Sequence, residues 1–422
     1  MPLHLTAEDQ QLLDGGSGPG AQMAMRIVVR LAEALEAEQL LTISGAHVDS
    51  CLYHGPSTLA FAERLLALGA SVKVPTTLNV SSLDLLHPDL FTGDPKEAEQ
   101  SRLLTECYKG LGGQPTWTCA PYQLNERPGF GQHVAWAESN AIVFANSVLG
   151  ARTDRYGDFI DICAAITGRA PAAGLHLQEN RRARRVFDVS GLPSALLDSD
   201  WLFPVLGALV GATTGGQVPV VTGVPGGQPE HRLKSLGAAA ASSGGIGMFH
   251  MVGSTPEAPT LSEALGGVDP LEVTQVSLAD LNETRASLST ATGLSLGSVC
   301  LGTPHYSLDE FAVLVPLLSG RQVHPSVNFL VSTGRGIYHE LQLRGWLGTL
   351  EAAGVTVVVD TCTYLSPALS GGTGPAMTDS AKWAYYAPSN LGVEVTLAST
   401  AECVNSAING VVTVDESLWA NG

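Results

Sequence analysis

Apolar positions along the chain alternate between the spacing of an amphipathic helix and short continuous runs. Residues 21–38 carry apolar side chains on one helical face, and the apolar run 40–43 then ends in Ser-Gly. A second helical pattern covers residues 57–68 and a second apolar run covers residues 71–74. Helical patterns that alternate with short buried strands predict βαβ units, in which a parallel sheet carries helices on its faces.

The last third of the chain repeats this alternation. Its helical patterns and its β-branched apolar runs follow one another along the sequence, the helices at 309–318, 335–353 and 400–408, the strands at 327–331, 355–359 and 393–397. Gly354 and Gly410 stand where the second and third helices should end. The pattern therefore predicts a second parallel sheet in this part of the chain.

Residues 201–260 have a different composition, with many glycine steps and few charges. The run that begins at Trp201 is apolar for about a dozen residues, fewer than the roughly 18 that a membrane-spanning helix needs. We interpret it as a buried core segment. Because 422 residues exceed what one hydrophobic core usually organises, we expect three α/β parts, at residues 1–140, 141–290 and 291–422.

Charge limits the classes of partner. The chain has 22 Lys and Arg against 40 Asp and Glu, a net charge of −18. Such a surface repels nucleic acid and anionic lipid, so we expect neither partner, and an anionic substrate requires a local basic pocket. The N-terminal residues lack a basic region followed by an apolar stretch, so we expect a cytoplasmic protein.

The chain contains an odd number of cysteines, at positions 51, 107, 119, 163, 300, 362 and 403. Reduced thiols or metal ligands are therefore expected in place of disulfides. Cys119 lies in a loop-like stretch that ends in proline, Cys300 precedes Gly-Thr-Pro-His, and Cys362 follows the strand predicted at 355–359. Thiolates that the fold brings together can hold an iron–sulfur cluster, but a lone cysteine is usually a small buried apolar residue. Sequence spacing leaves both interpretations open.

Polar residues within residues 138–153 form a second candidate group. Asn146, Ser147 and Arg152 could hold a carboxylate, since the guanidinium fork matches it bidentately. The alternative is a helix end at which Arg152 caps carbonyl groups or pairs with Asp154 or Asp158. Both interpretations have equal support from the residues alone.

Residues 377–388 and His305 complete the candidate chemistry. Ser380 and Lys382 lie among aromatic side chains in a stretch that we predict to be a long loop, which forms a ligand wall or simply covers the core. His305 could act as an acid or base, orient a substrate, or be a structural histidine. The sequence lacks G-x-G-x-x-G, G-K-[ST], H-E-x-x-H and C-x-x-C patterns, and its G-x-S-x-G at 293–297 follows a predicted helix and is read as a turn.

Together these segments resemble the large component of the aconitase X family. The matching stretches are 119–122, 138–169, 302–307, 360–362 and 379–388, and residues 146–153 are the most specific of them. With the βαβ pattern on either side, the resemblance covers most of the chain. It implies an aconitase-like, multidomain α/β fold in which parallel sheets flanked by helices surround a central cleft.

The resemblance also implies a hydro-lyase. Members dehydrate cis-3-hydroxy-L-proline in bacteria or mevalonate 5-phosphate in archaea, and residues 146–158 and 382–383 are more similar to the bacterial type. The expected reaction converts cis-3-hydroxy-L-proline to Δ1-pyrroline-2-carboxylate. The cofactor implied is a [2Fe-2S] or [4Fe-4S] cluster or mononuclear iron, which would act as a Lewis acid on the C3 hydroxyl.

The same resemblance assigns roles to individual residues. Three cysteines would bind the metal centre, and further side chains would bind substrate or act in catalysis. The implied metal ligands are Cys119, Cys300 and Cys362, the implied substrate-binding residues are Asn146, Ser147, Arg152 and Ser380, and the candidate catalytic residues are His305 and Lys382. In the family the base that takes the C2 proton is a serine of a smaller, β-rich part. Because this sequence ends after its last α/β unit, a separate small subunit is implied.

Three other functions remain open. A mevalonate 5-phosphate dehydratase large subunit would keep the cysteines but would need more cationic groups for the phosphate. A non-catalytic iron-binding or redox-sensing protein would use the thiolates without a converging substrate pocket. A non-metal α/β enzyme would bury all seven cysteines in its core.

Overall fold

The computed structural model describes residues 3–365 and 374–420. The chain divides into two compact units, of which unit 1 comprises Met1–Leu83 and Asp94–Arg182, and unit 2 comprises Asp84–Gly93 and Ala183–Gly422. The division into three parts at 1–140, 141–290 and 291–422 stays a prediction.

Unit 1 combines short strands with helices. Its described elements are α1 (Ala7–Leu13), α2 (Pro19–Ala34), β1 (Leu40–Thr42), β2 (Ala46–Val48), α3 (Pro56–Ala67), β3 (Thr76–Leu78), α4 (Pro95–Gly110), β4 (Ala135–Trp136), α5 (Ser139–Ser147), α6 (Ile160–Thr167) and β5 (Arg169–Pro171). Strands β3, β2 and β4 form a parallel sheet in that order, and β1 pairs with β5 in antiparallel fashion. The helix predicted at 21–38 and the strand predicted at 40–43 correspond to α2 and β1.

The strand predicted at residues 71–74 is wrong. The N–H of Val72 donates to the carbonyl of Leu111 at 2.8 Å, and the N–H of Lys73 donates to the carbonyl of Ala165 at 2.8 Å. These acceptors lie at or near the ends of helices, so this segment has no neighbouring strand to pair with. The parallel strand begins after Pro75, at β3.

Unit 2 holds two larger parallel sheets. Its described elements are β6 (Arg185–Asp188), α7 (Ser194–Leu197), α8 (Leu202–Thr213), β7 (Pro219–Thr222), α9 (Glu230–Gly244), β8 (His250–Met251), α10 (Leu261–Leu265), β9 (Glu272–Gln275), α11 (Leu278–Leu288), β10 (Ser298–Tyr306), α12 (Leu308–Leu318), β11 (Asn328–Thr333), α13 (Arg335–Leu343), α14 (Trp346–Ala353), β12 (Val355–Val359), β13 (Ala376–Thr378), α15 (Ala381–Leu391), β14 (Val395–Leu397) and α16 (Thr400–Asn409). The strand orders are β8-β7-β6-β9 and β12-β11-β10-β13-β14, and all pairs are parallel.

The periodic pattern of the last third predicts these elements well, because the core of unit 2 is built from their apolar faces. Val355, Val357 and Val359 of β12 alternate into a cluster that also contains Phe311 and Leu314 of α12. The apolar run from Trp201, predicted to be a buried core segment, forms the buried helix α8. The helix predicted at 335–353 is two helices, because Gly345 adopts a left-handed conformation (φ 71°) between them.

The loop predicted at residues 377–388 is also wrong, since β13 and α15 occupy this stretch. Ser380 caps α15 by accepting a hydrogen bond from the N–H of Trp383 at 3.1 Å. Trp383 and Ala387 are then buried on one face of the helix. The aromatic content that suggests a ligand wall in the sequence therefore belongs largely to a packed helix.

In the part of the chain that the structure describes, no helix has both the length and the apolarity that a bilayer crossing requires.

Candidate functional site

Strand order in the five-stranded sheet of unit 2 marks a place for ligands. The chain runs from β10 to β11 and β12 on one side, and β13 and β14 lie on the other side of β10. In open parallel sheets, ligands bind beyond the carboxyl ends of the strands, at the point where the strand order reverses. That point is the carboxyl end of β10 and β13, where His305 and Ser380 lie.

His305 is fully buried near the end of β10. Its Nε2 lies 3.0 Å from the carbonyl oxygen of Thr361, so Nε2 carries the proton and donates, and the neutral ring keeps its lone pair at Nδ1. Burial, reinforced by the charges of Lys234 and Lys382, lowers the pKa of His305 to about 4. The ring is therefore neutral at physiological pH and can accept a proton or bind a metal, but it is not a general acid there.

Cys362 lies in a loop that neighbouring side chains hold in place. The loop follows β12, and Arg335 donates to both carboxylate oxygens of Asp360 at 2.6 and 2.8 Å. On the other side of the cysteine, Thr363 Oγ1 accepts from the indole N–H of Trp383 at 3.0 Å. Cys362 is 1% exposed, and its sulfur lies within 4.8 Å of a ring nitrogen of His305.

Cys300 contacts the loop of Cys362 through Thr363. It is fully buried in β10, and its thiol is hydrogen-bonded with the side chains of Ser298 and Thr363. Burial raises the pKa of this thiol to about 12. Its role as a metal ligand stays a prediction.

Ser380 and Lys382 lie at the start of α15. The hydroxyl of Ser380 donates to the carbonyl of Thr303, and the side chain lines a cavity of about 120 Å³ together with Tyr306 and Asp379. Lys382 is 3% exposed, and its charge contributes to the lowered pKa of His305. Unit 2 therefore brings His305, Cys362, Ser380 and Lys382 to the carboxyl ends of its strands.

Unit 1 fixes the loop that carries Cys119. The cysteine is 3% exposed, and its carbonyl accepts from Asn140 Nδ2 at 2.8 Å. Asn140 Oδ1 in turn accepts from the hydroxyl of Tyr122 at 2.5 Å, and the ring of Tyr122 stacks on Phe144 with centroids 3.7 Å apart. The loop is therefore braced against α5, which begins at Ser139.

The side chain of Asn146 joins the two ends of residues 146–153, the segment most specific to the family. Its Nδ2 donates to the carbonyl of Thr153 at 2.9 Å, and its Oδ1 accepts from the N–H of Thr153 at 3.1 Å and from Arg181 Nη1 at 2.9 Å. Ser147 is buried in the last turn of α5. These contacts make Asn146 a structural support of the segment that presents Arg152, and its contact with substrate stays a prediction.

Arg152 is partly exposed, and its guanidinium donates hydrogen bonds within unit 1. Its Nη1 donates to the carbonyl of His176 at 3.0 Å, and its Nη2 donates to the side-chain oxygen of Gln178. The guanidinium is thus held in a defined direction by two neutral acceptors.

Sequence reasoning missed a cluster of carboxylate and amide side chains in unit 1. Asp49 follows β2, Asn79 follows β3 and Glu138 lies just beyond β4, so all three come after the carboxyl ends of parallel strands. Asp161 Oδ2 accepts from the N–H of Asp49 at 2.7 Å. Burial beside the negative charges of Glu138, Asp158 and Asp161 raises the pKa of Asp49 to about 8. The signal that could have found them is a polar side chain at or just beyond the end of each of three short strands.

Comparison with known proteins covers both units. Models of the aconitase X first, second and third domains match residues 2–179, 183–286 and 296–409. A cis-3-hydroxy-L-proline dehydratase of Pseudomonas aeruginosa is 44% identical over 96% of this chain and 70% of that protein. A phosphomevalonate dehydratase large subunit of Methanothermobacter thermautotrophicus is 37% identical over 93% of this chain and 96% of that protein. The crystal structure of Thermococcus kodakaraensis aconitase X in its holo form superposes with a TM-score of 0.86 at 32% identity, and covers 96% of this chain and 100% of that chain.

Proposed function

We propose that this chain, which belongs to the aconitase X family, is the metal-binding component of a cis-3-hydroxy-L-proline dehydratase. The predicted family, the α/β fold with parallel sheets flanked by helices, and the hydro-lyase class are confirmed. The proposed substrate rests on the 44% identity to the Pseudomonas aeruginosa cis-3-hydroxy-L-proline dehydratase. Identity to the Methanothermobacter thermautotrophicus phosphomevalonate dehydratase large subunit is 37%. The reaction removes the C3 hydroxyl and the C2 proton as water, and the product tautomerises to Δ1-pyrroline-2-carboxylate.

The proposed metal ligands are Cys119, Cys300 and Cys362, with His305 as a further donor. Thiolate and imidazole are the ligands that iron and iron–sulfur centres take in proteins. In unit 2 the sulfur of Cys362 and a ring nitrogen of the neutral His305 lie within 4.8 Å of each other, and these two donors fit such a centre. When bound, an iron or iron–sulfur centre supplies a Lewis acid for the substrate hydroxyl.

The other proposed roles follow from charge and burial. Arg152 would bind the substrate carboxylate, with Asn146 and Ser147 in the same segment, and Ser380 would bind substrate through its hydroxyl. Lys382 is a buried cation, which stabilises negative charge that develops on the departing hydroxide. His305, neutral at physiological pH, would accept a hydrogen bond or bind the metal through Nδ1.

Arg152→Lys is expected to lower kcat/KM for cis-3-hydroxy-L-proline by about 5- to 150-fold, which corresponds to about 1–3 kcal/mol for a charge-assisted hydrogen bond. Lysine keeps the charge but loses the planar fork that matches a carboxylate. Arg155→Lys is the matched control, because Arg155 is exposed three residues further along the same segment. Steady-state kinetics and thermal unfolding of both variants test the role, and an unchanged kcat/KM in Arg152→Lys would exclude carboxylate binding.

The substrate is tested with protein purified without oxygen, loaded with iron and sulfide, and combined with the smaller component proposed below. NMR follows loss of the C2 and C3 proton signals of cis-3-hydroxy-L-proline, and mevalonate 5-phosphate is assayed in parallel. We expect turnover of cis-3-hydroxy-L-proline and none of mevalonate 5-phosphate. Turnover of mevalonate 5-phosphate alone would assign the other dehydratase activity, and iron binding with turnover of neither substrate would assign an iron-binding or redox-sensing role.

A smaller component is part of this proposal. The Methanothermobacter thermautotrophicus relative is itself a large subunit, and the region matched in the Pseudomonas aeruginosa enzyme is 70% of that protein. We propose that the remaining function, including the base for the C2 proton, lies in a small subunit. Cytoplasmic location stays a prediction.

A further inference from the structure

Lys234 is a buried cation that neither the sequence pattern nor the proposed chemistry explains. It lies in the first half of α9, ahead of the alanine run at 238–241, and its side chain is 4% exposed. Its Nζ donates to the carbonyl oxygen of His305 at 3.1 Å and to the carboxylate of Glu310. A buried ammonium loses its hydration, so an apolar side chain would serve simple packing at this position better.

Glu310 ties the lysine to the turn that follows His305. One carboxylate oxygen of Glu310 accepts from the N–H and from the hydroxyl of Ser307, both at 2.8 Å. This is a capping box, in which the third residue of α12 closes back on the residue before the helix. The ion pair therefore fixes the backbone where β10 ends and α12 begins, and His305 lies at that junction.

Contacts continue from His305 to the loop of Cys362. The ring of His305 donates to the carbonyl of Thr361 at 3.0 Å, and Cys362 is the next residue. Lys234, His305 and Thr361 thus form an unbroken series of contacts inside unit 2. A shift of the His305 backbone would move its ring relative to the sulfur of Cys362.

We propose that Lys234 is a positioning residue, which holds the His305 ring in the orientation that a metal ion shared with Cys362 requires. The inference rests on the proposed metal-binding function. Groups that only orient metal ligands typically contribute 10- to 100-fold to metal affinity, which sets the size of the expected effect.

Arg232 provides a control on the same helix. It also lines the cavity beside Tyr306 and Asp379, but it pairs with Asp200, whose side chain is 60% exposed. Removal of the Arg232 guanidinium therefore leaves the contacts from Lys234 through His305 to Thr361 in place. Arg232→Met and Lys234→Met therefore differ in the contact with His305, while both remove one cation.

The experiment titrates Co²⁺ into metal-free full-length chain under anaerobic conditions and follows the thiolate-to-cobalt absorption band. Lys234→Met, Arg232→Met and the double variant Lys234→Met/Glu310→Gln are compared with the wild type, and circular dichroism reports folding. The double variant removes both charges, so the Glu310 carboxylate is not left without its partner.

We expect Co²⁺ affinity to fall about 10- to 100-fold in Lys234→Met and in the folded double variant, with a shifted absorption band, and to stay unchanged in Arg232→Met. Wild-type affinity and band position in the folded double variant would overturn the positioning role while leaving the proposed function intact. Absence of a thiolate band in the wild type would contradict the proposed metal function itself, and the positioning role with it.

Discussion

Cys362→Ala is expected to remove bound iron and to lower kcat/KM by at least about 100-fold. The estimate is a lower bound, because outer residues that only orient a ligand already account for 10- to 100-fold. Cys362 is buried, held by the contacts of Asp360 and Thr363 on either side, and its sulfur lies within 4.8 Å of a ring nitrogen of His305. These contacts fix the position of Cys362 as a metal ligand requires.

Cys403→Ala is the matched control, since Cys403 is equally buried but packs in the apolar core of unit 2. Its substitution is expected to cost some thermal stability and to leave iron content and kcat/KM unchanged. Iron and sulfide analysis of anaerobically purified variants, with steady-state kinetics, makes the comparison. Full iron content in Cys362→Ala would remove this residue from the proposed ligand set.

The same measurements on Cys300→Ala and His305→Gln test each of these two proposed donors separately. Cys300 is the ligand that the family resemblance implies, and its thiol shares Thr363 with the Cys362 loop. His305 is the donor whose ring nitrogen lies near the sulfur of Cys362. Loss of iron in a variant would support its residue as a ligand, and full iron content would remove that residue from the proposed set.

Local sequence predicts the elements of unit 2 better than those of unit 1. The core strands and helices around β12 are long enough for their apolar period to be read, and Gly354 and Gly410 end α14 and α16 in left-handed conformations. In unit 1 the strands of the parallel sheet have two or three residues. With so few positions, hydrogen bonds to helix ends decide where a strand begins, and a one-dimensional pattern does not contain them.

Some residues of the candidate site could be predicted from the sequence and others could not. Spacing alone leaves the cysteines open between core and ligand, and the family resemblance selects three of them. Lys234 and Asp49 were missed because each looks ordinary locally, a lysine in an alanine-rich helix and an aspartate after a short strand. Their significance lies in burial and in partners distant in sequence, His305 for one and Asp161 for the other.

Adding the smaller component is expected to raise turnover by the metal-loaded chain about 100- to 10,000-fold, the usual contribution of a general base. Dehydration needs a group that takes the C2 proton of the substrate. With a pKa of about 4, His305 is a weak base at neutral pH, because its conjugate acid gives up a proton far too readily. Lys382, buried beside it, carries a positive charge that suits the departing hydroxide better than proton removal.

The assay compares metal-loaded chain alone, chain with the smaller component, and Cys362→Ala chain with the same component. If the component supplies the base, only the second mixture should show high turnover, because the third retains the base but lacks the metal site. A closing component would also exclude water from the site, which strengthens every electrostatic interaction there. Full activity of the chain alone would place the base within these 422 residues. His305 would then be the first residue to replace, followed by Asp49, whose raised pKa of about 8 makes it the stronger base once ionised.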